Sequence, residues 1–396
     1  MIDSNINCRG FRFAGVAAGL KKQDMKDLGL IVSDIEANVA GVFTRNRVKA
    51  APVLLDQQRV QSGMARSVIV NSGNANCSTG EKGMQDAVEM AACTAGALGI
   101  DEKSVLVAST GVIGTPFPIE KVTAAIPGLV DSLKPDAVMD LAEAIMTTDT
   151  IPKVVSKQGT IDGRTFTVTA LAKGAGMIRP DMATMLCFVC TDACVSPDIL
   201  KNVLVSATDK SFNRITVDGD TSTNDTVLIL ANGLSGAEIK AEANRQVFQE
   251  IVDNLLGHLA KMIVKDGEGA TKLIEIIVRG ALTDRDARMT ADTIANSNLV
   301  KTAFFGEDAN WGRILAAAGR SGVPIDPDKT DVYFDDVMMA RNGLTCGDVA
   351  EAQATEVLKK SEFTVTLDLN MGSGQASVLT CDFSLDYVRI NADYRS

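Results

Sequence analysis

Histidine is almost missing from the sequence, since His258 is the single one in 396 residues. A Ser-His-Asp triad, a Cys-His dyad and a two-histidine metal site all depend on histidine. These classes are therefore excluded unless His258 serves alone. His258 lies in a strongly helical stretch, and we interpret it as a helix-surface residue with no catalytic role. If the protein is an enzyme, we expect its base to be a different group.

Long apolar runs and clusters of basic residues are also missing. The longest uncharged apolar stretches are well short of the roughly 20 residues of a membrane helix. The N-terminal residues lack the basic region and the apolar run of a signal peptide. The net charge is −11, and no run of Lys or Arg suggests a nucleic-acid or anionic-membrane partner. We expect a cytoplasmic protein.

The eight cysteines do not have the spacing of a metal site. Cys187, Cys190 and Cys194 are close together, but they lie in or just after an apolar run typical of a strand. Odd and even positions of a strand face opposite sides, so Cys187 and Cys190 would point apart. We expect buried, reduced thiols and no metal.

Strand-like and helix-like segments alternate along the chain, and the C-terminal part indicates a small sheet covered on one side by helices, which is an α+β layout. We expect a large first domain over residues 1–280 and a smaller α+β domain over 281–396, with the boundary near Arg279–Arg285. In the second domain, Phe363–Leu369 and Ala376–Phe383 have alternating patterns, and the Gly-rich segment between them predicts a hairpin. Tyr387–Ile390 is predicted to be the last strand.

Four loops are rich in Gly, Asn, Ser and Thr, and each follows a strand-like run: Asn71–Asn76, Ser109–Gly114, Lys173–Ala183 and Asp218–Asp225. Glycine lets backbone N–H groups point at a ligand, and the polar side chains add further donors. Any one of these loops could be an ordinary turn. None has the spacing of a phosphate-binding loop or a dinucleotide fingerprint.

The third of these loops leads to a threonine at the first position of an apolar strand, Thr184–Thr191. Where no histidine is usable, a threonine can be activated by its own α-amine if the chain is cut just before it. A free α-amine has a pKa of about 8, so part of it is an uncharged base at pH 7. The pattern alone is weakly specific for such chemistry.

The segments Lys173–Ile178 and Met182–Leu186 closely resemble the self-cleaving ornithine acetyltransferase family, which is also called glutamate N-acetyltransferase and acts in arginine biosynthesis. The resemblance extends over the whole chain, and it implies an α+β fold of layered sheets and helices with an αββα-type core, in which residues 1–280 form the catalytic core. Other segments share the resemblance: Asn71–Asn76, Ser109–Gly114, Lys265–Lys272, Asp308–Arg313 and Asn391–Ser396. The resemblance implies cleavage between Ala183 and Thr184, which would give mature chains 1–183 and 184–396.

The resemblance also implies the reaction and the residues that perform it. Thr184 would be the nucleophile and, through its α-amine, the base of a ping-pong acetyl transfer from N-acetylornithine to glutamate, without a cofactor. Thr110 and Gly111 would stabilise the oxyanion. The implied substrate-binding residues are Thr147, Lys173, Thr184, Glu268, Asn391 and Ser396, so the last residues of the chain would return to the active site.

Two other functions remain open from the residues. One is an amidase or aminopeptidase with an N-terminal nucleophile, which would hydrolyse the acyl-enzyme instead of passing the acetyl group on. The other is an uncleaved, inactive binding protein. The resemblance leaves open whether acetyl-coenzyme A is also a donor, and it implies a dimer of cleaved protomers with two N-terminal and two C-terminal chains.

Overall fold

A computed structural model of the protein describes residues 7–22, 25–179 and 185–393. In this part of the chain, helices are combined with two mixed β-sheets, which confirms the α+β class. The described residues form two compact units. The first unit extends to Asn213 and includes Asp220–Ile263, whereas the second contains Arg214–Gly219 and the chain from Val264 onward.

The secondary-structure elements are numbered in chain order. The strands are β1 Phe11–Val16, β2 Leu28–Phe43, β3 Met64–Asn71, β4 Val105–Ser109, β5 Lys153–Ile161, β6 Arg164–Lys173, β7 Leu186–Thr191, β8 Ile215–Thr216, β9 Thr226–Ala231, β10 Leu273–Ala281, β11 Asp331–Phe334, β12 Val337–Arg341, β13 Leu344–Thr345, β14 Glu362–Asp368 and β15 Gly374–Cys381. The helices are α1 Ala51–Arg59, α2 Gly80–Leu98, α3 Ile119–Asp131, α4 Val138–Ile145, α5 Pro197–Lys210, α6 Glu242–Lys265, α7 Asp284–Ala295, α8 Asn298–Phe305, α9 Trp311–Gly319, α10 Asp348–Leu358 and α11 Leu385–Ala392.

The first unit is built on a sheet with the strand order β4-β3-β2-β9-β7-β6-β5, and β1 also pairs with β2. Successive residues of a strand face opposite sides. On β2, Leu30 packs with residues of α2 and α3 on one face, and Ile31 packs with residues of α4 on the other. Each fully buried Leu or Ile contributes about 1.5–3 kcal/mol to folding. Helices therefore cover both faces of this sheet.

The second unit contains the sheet β13-β12-β11-β14-β10-β15-β8. Every second residue of β14 is buried, and this face packs with residues of α7, α8, α9 and α10. The short side chains of α7, such as Ala287 and Ala291, are fully buried there. Thr283 caps α7, because its side chain accepts a hydrogen bond from Asp286 N over 3.1 Å.

The two units divide earlier in the chain than the sequence suggests. Sequence analysis placed the boundary near Arg279–Arg285, but β10 belongs to the second unit. The reason is its pairing, since β10 lies between β14 and β15 in the centre of the second sheet. A strand in that position cannot be assigned to another domain.

The predicted hairpin of β14 and β15 is wrong. These strands do not pair with each other, because β10 lies between them, parallel to β14 and antiparallel to β15. The glycines of the connecting segment allow it to pass close to the end of β10. A Cβ placed on Gly372 would lie 2.4 Å from the carbonyl oxygen of Ala281. The Gly-rich segment therefore marks a close backbone approach rather than a hairpin turn.

The strand predicted at Tyr387–Ile390 is also wrong, since this segment lies inside α11. The amide of Asn391 donates to Tyr387 O over 3.0 Å, four residues back along the helix. Leu385 and Val388 are 66% and 57% exposed, so no apolar face is buried as a strand would require. A four-residue apolar run does not distinguish a helix from a strand by its period.

Three further predictions can be compared with the structure. Cys187 and Cys190 are buried free thiols whose pKa is raised by burial, but Cys194 is exposed because it follows the end of β7. His258 is an exposed residue of α6. No helix in the described residues is long and apolar enough to span a membrane.

Candidate active site

Two of the polar loops lie side by side in the first unit. Strands β3 and β4 are parallel, and their register places Asn71 opposite Ser109. The Ser109 hydroxyl donates to Asn71 Oδ1 over 2.6 Å, and Thr110 N donates to Asn71 O over 3.0 Å. Val112 N donates to Gly73 O over 3.3 Å. The loops that follow β3 and β4 are therefore joined by backbone and side-chain hydrogen bonds.

A third polar loop holds these two together through Asn224. The buried amide of Asn224 donates to Ala75 O over 2.6 Å and to Ser109 O over 2.8 Å. Its own oxygen accepts from Thr223 Oγ1 over 2.6 Å. A buried carbonyl that loses its donor costs about 1–3 kcal/mol. Asn224 thus links the end of the first loop, at Ala75, to the beginning of the second, at Ser109.

Gly111 occupies a position that has no room for a side chain. Its φ is +132°, which is unfavourable for residues other than glycine. A Cβ at this position would lie 2.3 Å from the carbonyl carbon of Gly73 and 2.6 Å from Asn74 N. Glycine is therefore required if the two loops are to remain in contact.

Lys173, the last residue of β6, joins two threonines of the first unit. Its ammonium group donates to Thr147 Oγ1 over 2.7 Å and to Thr110 Oγ1 over 3.5 Å. The Lys173 side chain is only 9% exposed, whereas Thr110 and Thr147 are half-buried. Thr110 comes from the loop after β4 and Thr147 from the segment after α4. The fold thus brings three of the predicted site residues, distant in sequence, into hydrogen-bonding contact.

Asp149 lies behind this group and was not predicted from the sequence. Its carboxylate accepts from Lys153 Nζ over 2.8 Å and lies 3.8 Å from Lys173 Nζ. It also accepts backbone bonds from Thr147 N over 3.0 Å and Gly174 N over 2.7 Å. Burial alone would raise the pKa of Asp149, but the charges of Lys173 and Lys153 and these bonds outweigh it and lower the pKa to about 2. Asp149 is therefore ionised throughout the physiological range.

A second lysine within electrostatic reach of Lys173 was also missed. Lys21 lies in a loop that is ordered by the buried carboxylate of Asp27, whose partners at 2.6–2.9 Å are the backbone N–H groups of Ala18, Leu20 and Lys21. Burial lowers the pKa of Lys21 to about 8, with Asp27 opposing the shift and Lys173 adding to it. The Lys21 side chain also lies close to Gly73 of the β3 loop.

The start of β7 is bordered by a buried carboxyl group. Thr226 N donates to Met185 O over 3.0 Å, and Thr226 follows Asp225. Burial raises the pKa of Asp225 well above its ordinary value, and hydrogen bonds with Ser222, Thr44 and the Met185 backbone only partly offset this effect. Asp225 Oδ2 has no hydrogen-bond partner among the described residues. This group lies beside the residue that follows Thr184 in the sequence.

The second unit contains another predicted pair, Glu268 and Asn391. The Asn391 amide donates to Glu268 Oε2 over 2.7 Å, and Glu268 is only 7% exposed. The turn after Glu268 is packed against the start of α11, because Ser384 Oγ donates to Gly269 O over 2.6 Å. Gly269 has a φ of +68°, and a Cβ on it would lie 2.5 Å from Tyr387 N. The turn and the helix therefore hold Glu268 and Asn391 in contact.

Comparison of the whole chain with known proteins identifies its family. A sequence model of the ArgJ family matches residues 12–396. The chain belongs to the ArgJ family. Relatives named arginine biosynthesis bifunctional protein ArgJ include one from Geobacter sulfurreducens, 54% identical over 393 residues, and one from Syntrophotalea carbinolica, 53% identical over 393 residues. In both comparisons 99% of this chain and 100% of the relative are covered.

The ArgJ family is also represented among solved structures. The crystal structure of arginine biosynthesis bifunctional protein ArgJ from Bacillus halodurans is 42% identical in sequence and superimposes with a TM-score of 0.50. That comparison covers 52% of this chain and 97% of the solved chain. As an ArgJ family member, the protein is an enzyme of arginine biosynthesis and an acyltransferase.

Some predicted site residues cannot be placed in this ArgJ family member. Ala183, Thr184 and Ser396 lie outside the described residues. Among residues 7–22, 25–179 and 185–393, no group of three or more His, Cys, Asp or Glu side chains could hold a metal ion. Three residues were missed from the sequence: Asp149 and Lys21 lie in no motif, and Asp225 ends the polar loop Asp218–Asp225 but was not singled out in it. The sequence signal for Asp149 was its spacing of four residues from Lys153, which carries the opposite charge and begins β5.

Proposed function

We propose that this ArgJ family member transfers an acetyl group from N-acetylornithine to glutamate through an acetyl ester on Thr184. Thr184 would become an N-terminal residue when the precursor cuts itself after Ala183. The proposal rests above all on the contact of Lys173 with the hydroxyl groups of Thr110 and Thr147. Acetyl transfer between amino acids needs a cation for the substrate carboxylate and a donor for the reacting carbonyl oxygen, and this group has both.

The first half-reaction forms the ester. The α-amine of Thr184 accepts the proton of its own hydroxyl group as Oγ1 attacks the carbonyl carbon of the acetamide. The carbon–nitrogen bond then breaks, the proton passes to the departing nitrogen, and ornithine leaves. In the second half-reaction, the glutamate amine attacks the ester carbon and the displaced Thr184 oxygen recovers its proton. Both halves proceed without an external cofactor.

The oxyanion of each tetrahedral intermediate would be stabilised by Thr110 and Gly111. A hydroxyl group and a backbone N–H group that are held in place before the reaction require no reorganisation when charge develops. The tight contact of Gly111 with Gly73 supports this role, because it fixes the loop that carries both donors.

Substrate recognition would involve charged groups of both signs. Lys173 suits the carboxylate that ornithine and glutamate share, and Thr147 would assist it with a hydroxyl group. Glu268, held by Asn391, suits a substrate ammonium group. Thr184 and Ser396 complete the proposed substrate-binding set. The same residues would recognise the donor in one half-reaction and the acceptor in the other.

Self-cleavage has separate support from the solved relative. The comparison with the Bacillus halodurans chain covers 97% of that chain but only 52% of this one. That chain is therefore only about half as long as this sequence. Cleavage between Ala183 and Thr184 would produce two chains of about this length.

An assay of the purified protein tests the function. With N-acetylornithine and glutamate, we expect N-acetylglutamate and ornithine in equal amounts, with parallel double-reciprocal plots. Release of free acetate at the same rate with and without glutamate would indicate an amidase instead. No turnover and a single 41.8 kDa band on a denaturing gel would indicate an uncleaved binding protein.

A second donor and the assembly can be tested in the same preparation. Both named relatives are called bifunctional, which supports a second activity. We infer that this activity is acetylation of glutamate by acetyl-coenzyme A, and replacing N-acetylornithine by acetyl-coenzyme A in the assay tests it. The proposed assembly is a dimer of cleaved protomers, which sedimentation equilibrium can measure. The cytoplasmic location expected from the sequence remains a prediction.

A further inference from the structure

Asp149 joins three segments of the first unit near Lys173: the segment after α4, the start of β5 and the end of β6. Its Oδ1 accepts from Lys153 Nζ over 2.8 Å and from Gly174 N over 2.7 Å. Its Oδ2 accepts from Thr147 N over 3.0 Å and lies 3.8 Å from Lys173 Nζ. The carboxylate side chain is fully buried. Both oxygens are therefore engaged, and each one contacts a segment that carries a proposed substrate-binding residue.

The backbone contacts of Asp149 define the segments on either side of the site. Thr147 N belongs to the segment after α4, and Gly174 N follows the last residue of β6. Near these segments, the β5–β6 ladder begins where Lys153 faces Ala172, and the Asp149 carboxylate bonds to the backbone of both segments. The carboxylate of Asp149 therefore sets the distance between Thr147 and Lys173.

We propose that Asp149 is the positioning residue of the acetyl-transfer site, which holds the Lys173 ammonium group against Thr147 so that it can bind the substrate carboxylate. This inference rests on the proposed function, because it assigns a role in amino-acid binding. Asp149 acts through Lys173 and Thr147 and does not itself touch the substrate. A misplacement of about 1 Å at such a site costs up to about 10²-fold in rate.

Positioning and simple electrostatics predict opposite results for Asp149→Asn. Lys153, Asp149 and Lys173 together carry one net positive charge. Replacing the carboxylate by an amide leaves two positive charges, and charge alone would then bind a substrate carboxylate more tightly. If Asp149 positions Lys173, the same substitution weakens binding in spite of the added charge. The sign of the change in KM therefore separates the two explanations.

A purely structural role of Asp149 would be shared by Lys153, its other ion-pair partner, which is not among the proposed substrate-binding residues. Lys153 is fully buried and forms a closer ion pair with Asp149 than Lys173 does. Lys153→Met removes this pair but leaves Asp149 bonded to Thr147 N and Gly174 N. We expect Lys153→Met to lower the unfolding temperature while changing kcat/KM by no more than about threefold. It is the matched control for the loss of a buried ion pair.

The test is a double-mutant cycle of Asp149→Asn and Lys173→Met, with kinetics of acetyl transfer to glutamate. In the otherwise unchanged protein, we expect Asp149→Asn to raise KM for N-acetylornithine and to lower kcat/KM about 10²-fold. In the Lys173→Met background, the same substitution should have an effect at least about tenfold smaller. If Asp149→Asn is insoluble, Asp149→Glu replaces it, since it keeps the charge and moves it by one methylene group.

The outcomes distinguish failure of the positioning role of Asp149 from failure of the proposed acetyl transfer. Equal effects of Asp149→Asn in both backgrounds, a lower KM, or an equal loss in Lys153→Met would overturn the positioning role while leaving the acetyl transfer of the unsubstituted enzyme intact. An unsubstituted enzyme that does not transfer acetyl to glutamate would overturn the proposed function and this inference with it. A raised KM together with non-additive effects supports both.

Discussion

The ammonium group of Lys173 lies 3.5 Å from the hydroxyl oxygen of Thr110 and 2.7 Å from that of Thr147. Donation from this cation to Thr110 Oγ1 makes the Thr110 hydroxyl group a stronger hydrogen-bond donor, because it polarises the O–H bond. The proposed carboxylate-binding residue, Lys173, and the proposed oxyanion donor, Thr110, are therefore parts of one hydrogen-bonded group. Changes at either residue should affect acetyl transfer.

Thr110→Ala should reduce kcat by about 10²–10³-fold, because it removes one oxyanion donor. Thr110→Ser keeps the hydroxyl group and should recover most of this loss. Steady-state kinetics of both variants with N-acetylornithine and glutamate will measure the difference. A loss below about tenfold in Thr110→Ala would mean that Thr110 is only a turn residue.

Gly111→Ala should abolish transfer by displacing the loop that carries the oxyanion donors. The added Cβ would lie 2.3 Å from the carbonyl carbon of Gly73, and the φ of +132° is strained for alanine. Gly114 is the matched control, since its φ is +79° and a Cβ there meets nothing within 4 Å. We expect Gly114→Ala to lose only about 1 kcal/mol of stability and to remain active. Similar kinetics for the two variants would contradict the close contact at Gly111.

Glu268→Gln should raise KM for the amino-acid substrates by about 10–10²-fold, because a charge-assisted hydrogen bond is worth about 1.5–3 kcal/mol. The glutamine can still accept from Asn391, so the fold of the second unit should be preserved. Glu275→Gln is the control, as Glu275 is a half-buried carboxylate of β10 in the same unit. An unchanged KM in Glu268→Gln would show that Glu268 does not bind the substrate ammonium group.

Asp149 should make stability depend on pH below about 4. Its pKa is lowered from 3.8 to about 2 in the folded protein. The carboxylate therefore contributes stability above the unfolded pKa, roughly 2 kcal/mol at neutral pH, and this contribution is lost as the pH falls towards 2. Urea unfolding of the unsubstituted protein and of Asp149→Asn, measured from pH 7 to pH 3, should show a difference that shrinks with acidity. A difference independent of pH would mean that the amide disrupts packing only.

The exposed ion pair of Asp326 and Lys329 provides the control for that experiment. The two side chains are 2.9 Å apart, and the hydrogen bond from Lys329 lowers the pKa of Asp326. Because solvent and salt screen such a pair, Asp326→Asn should change stability little and in a salt-dependent way. The effect of Asp149→Asn should persist at high salt.

The polar loops could be found from the sequence because a cluster of Gly, Asn, Ser and Thr after a strand-like run indicates a loop, although one such loop could also be an ordinary turn. Thr110, Gly111, Thr147 and Lys173 were predicted from the family resemblance. In the structure Lys173 donates hydrogen bonds to Thr110 and Thr147, and Gly111 follows Thr110 in the chain. The spacing of Asp149 and Lys153 is visible in the sequence, but the contacts of Asp149 with Lys173 and Gly174 form only in the folded chain. Residue type and local spacing do not contain that information.

The fold was predicted best where apolar and polar residues alternate along a whole strand. The predicted strand Phe363–Leu369 agrees to within one residue at each end with β14, in which every second residue is buried. The pairing of β10 between β14 and β15 was missed, because strand order depends on contacts between segments far apart in sequence. Helix α11 was mistaken for a strand because its short apolar run has no diagnostic period.

Mass spectrometry of the purified protein, before and after addition of N-acetylornithine, tests the central claim most directly. Our account predicts two chains, the second beginning at Thr184, and one acetyl group on that residue which disappears when glutamate is added. Thr184→Ala should remain one chain of 41.8 kDa without activity. An intact chain that still transfers acetyl, or an acetyl group on a different residue, would contradict the account.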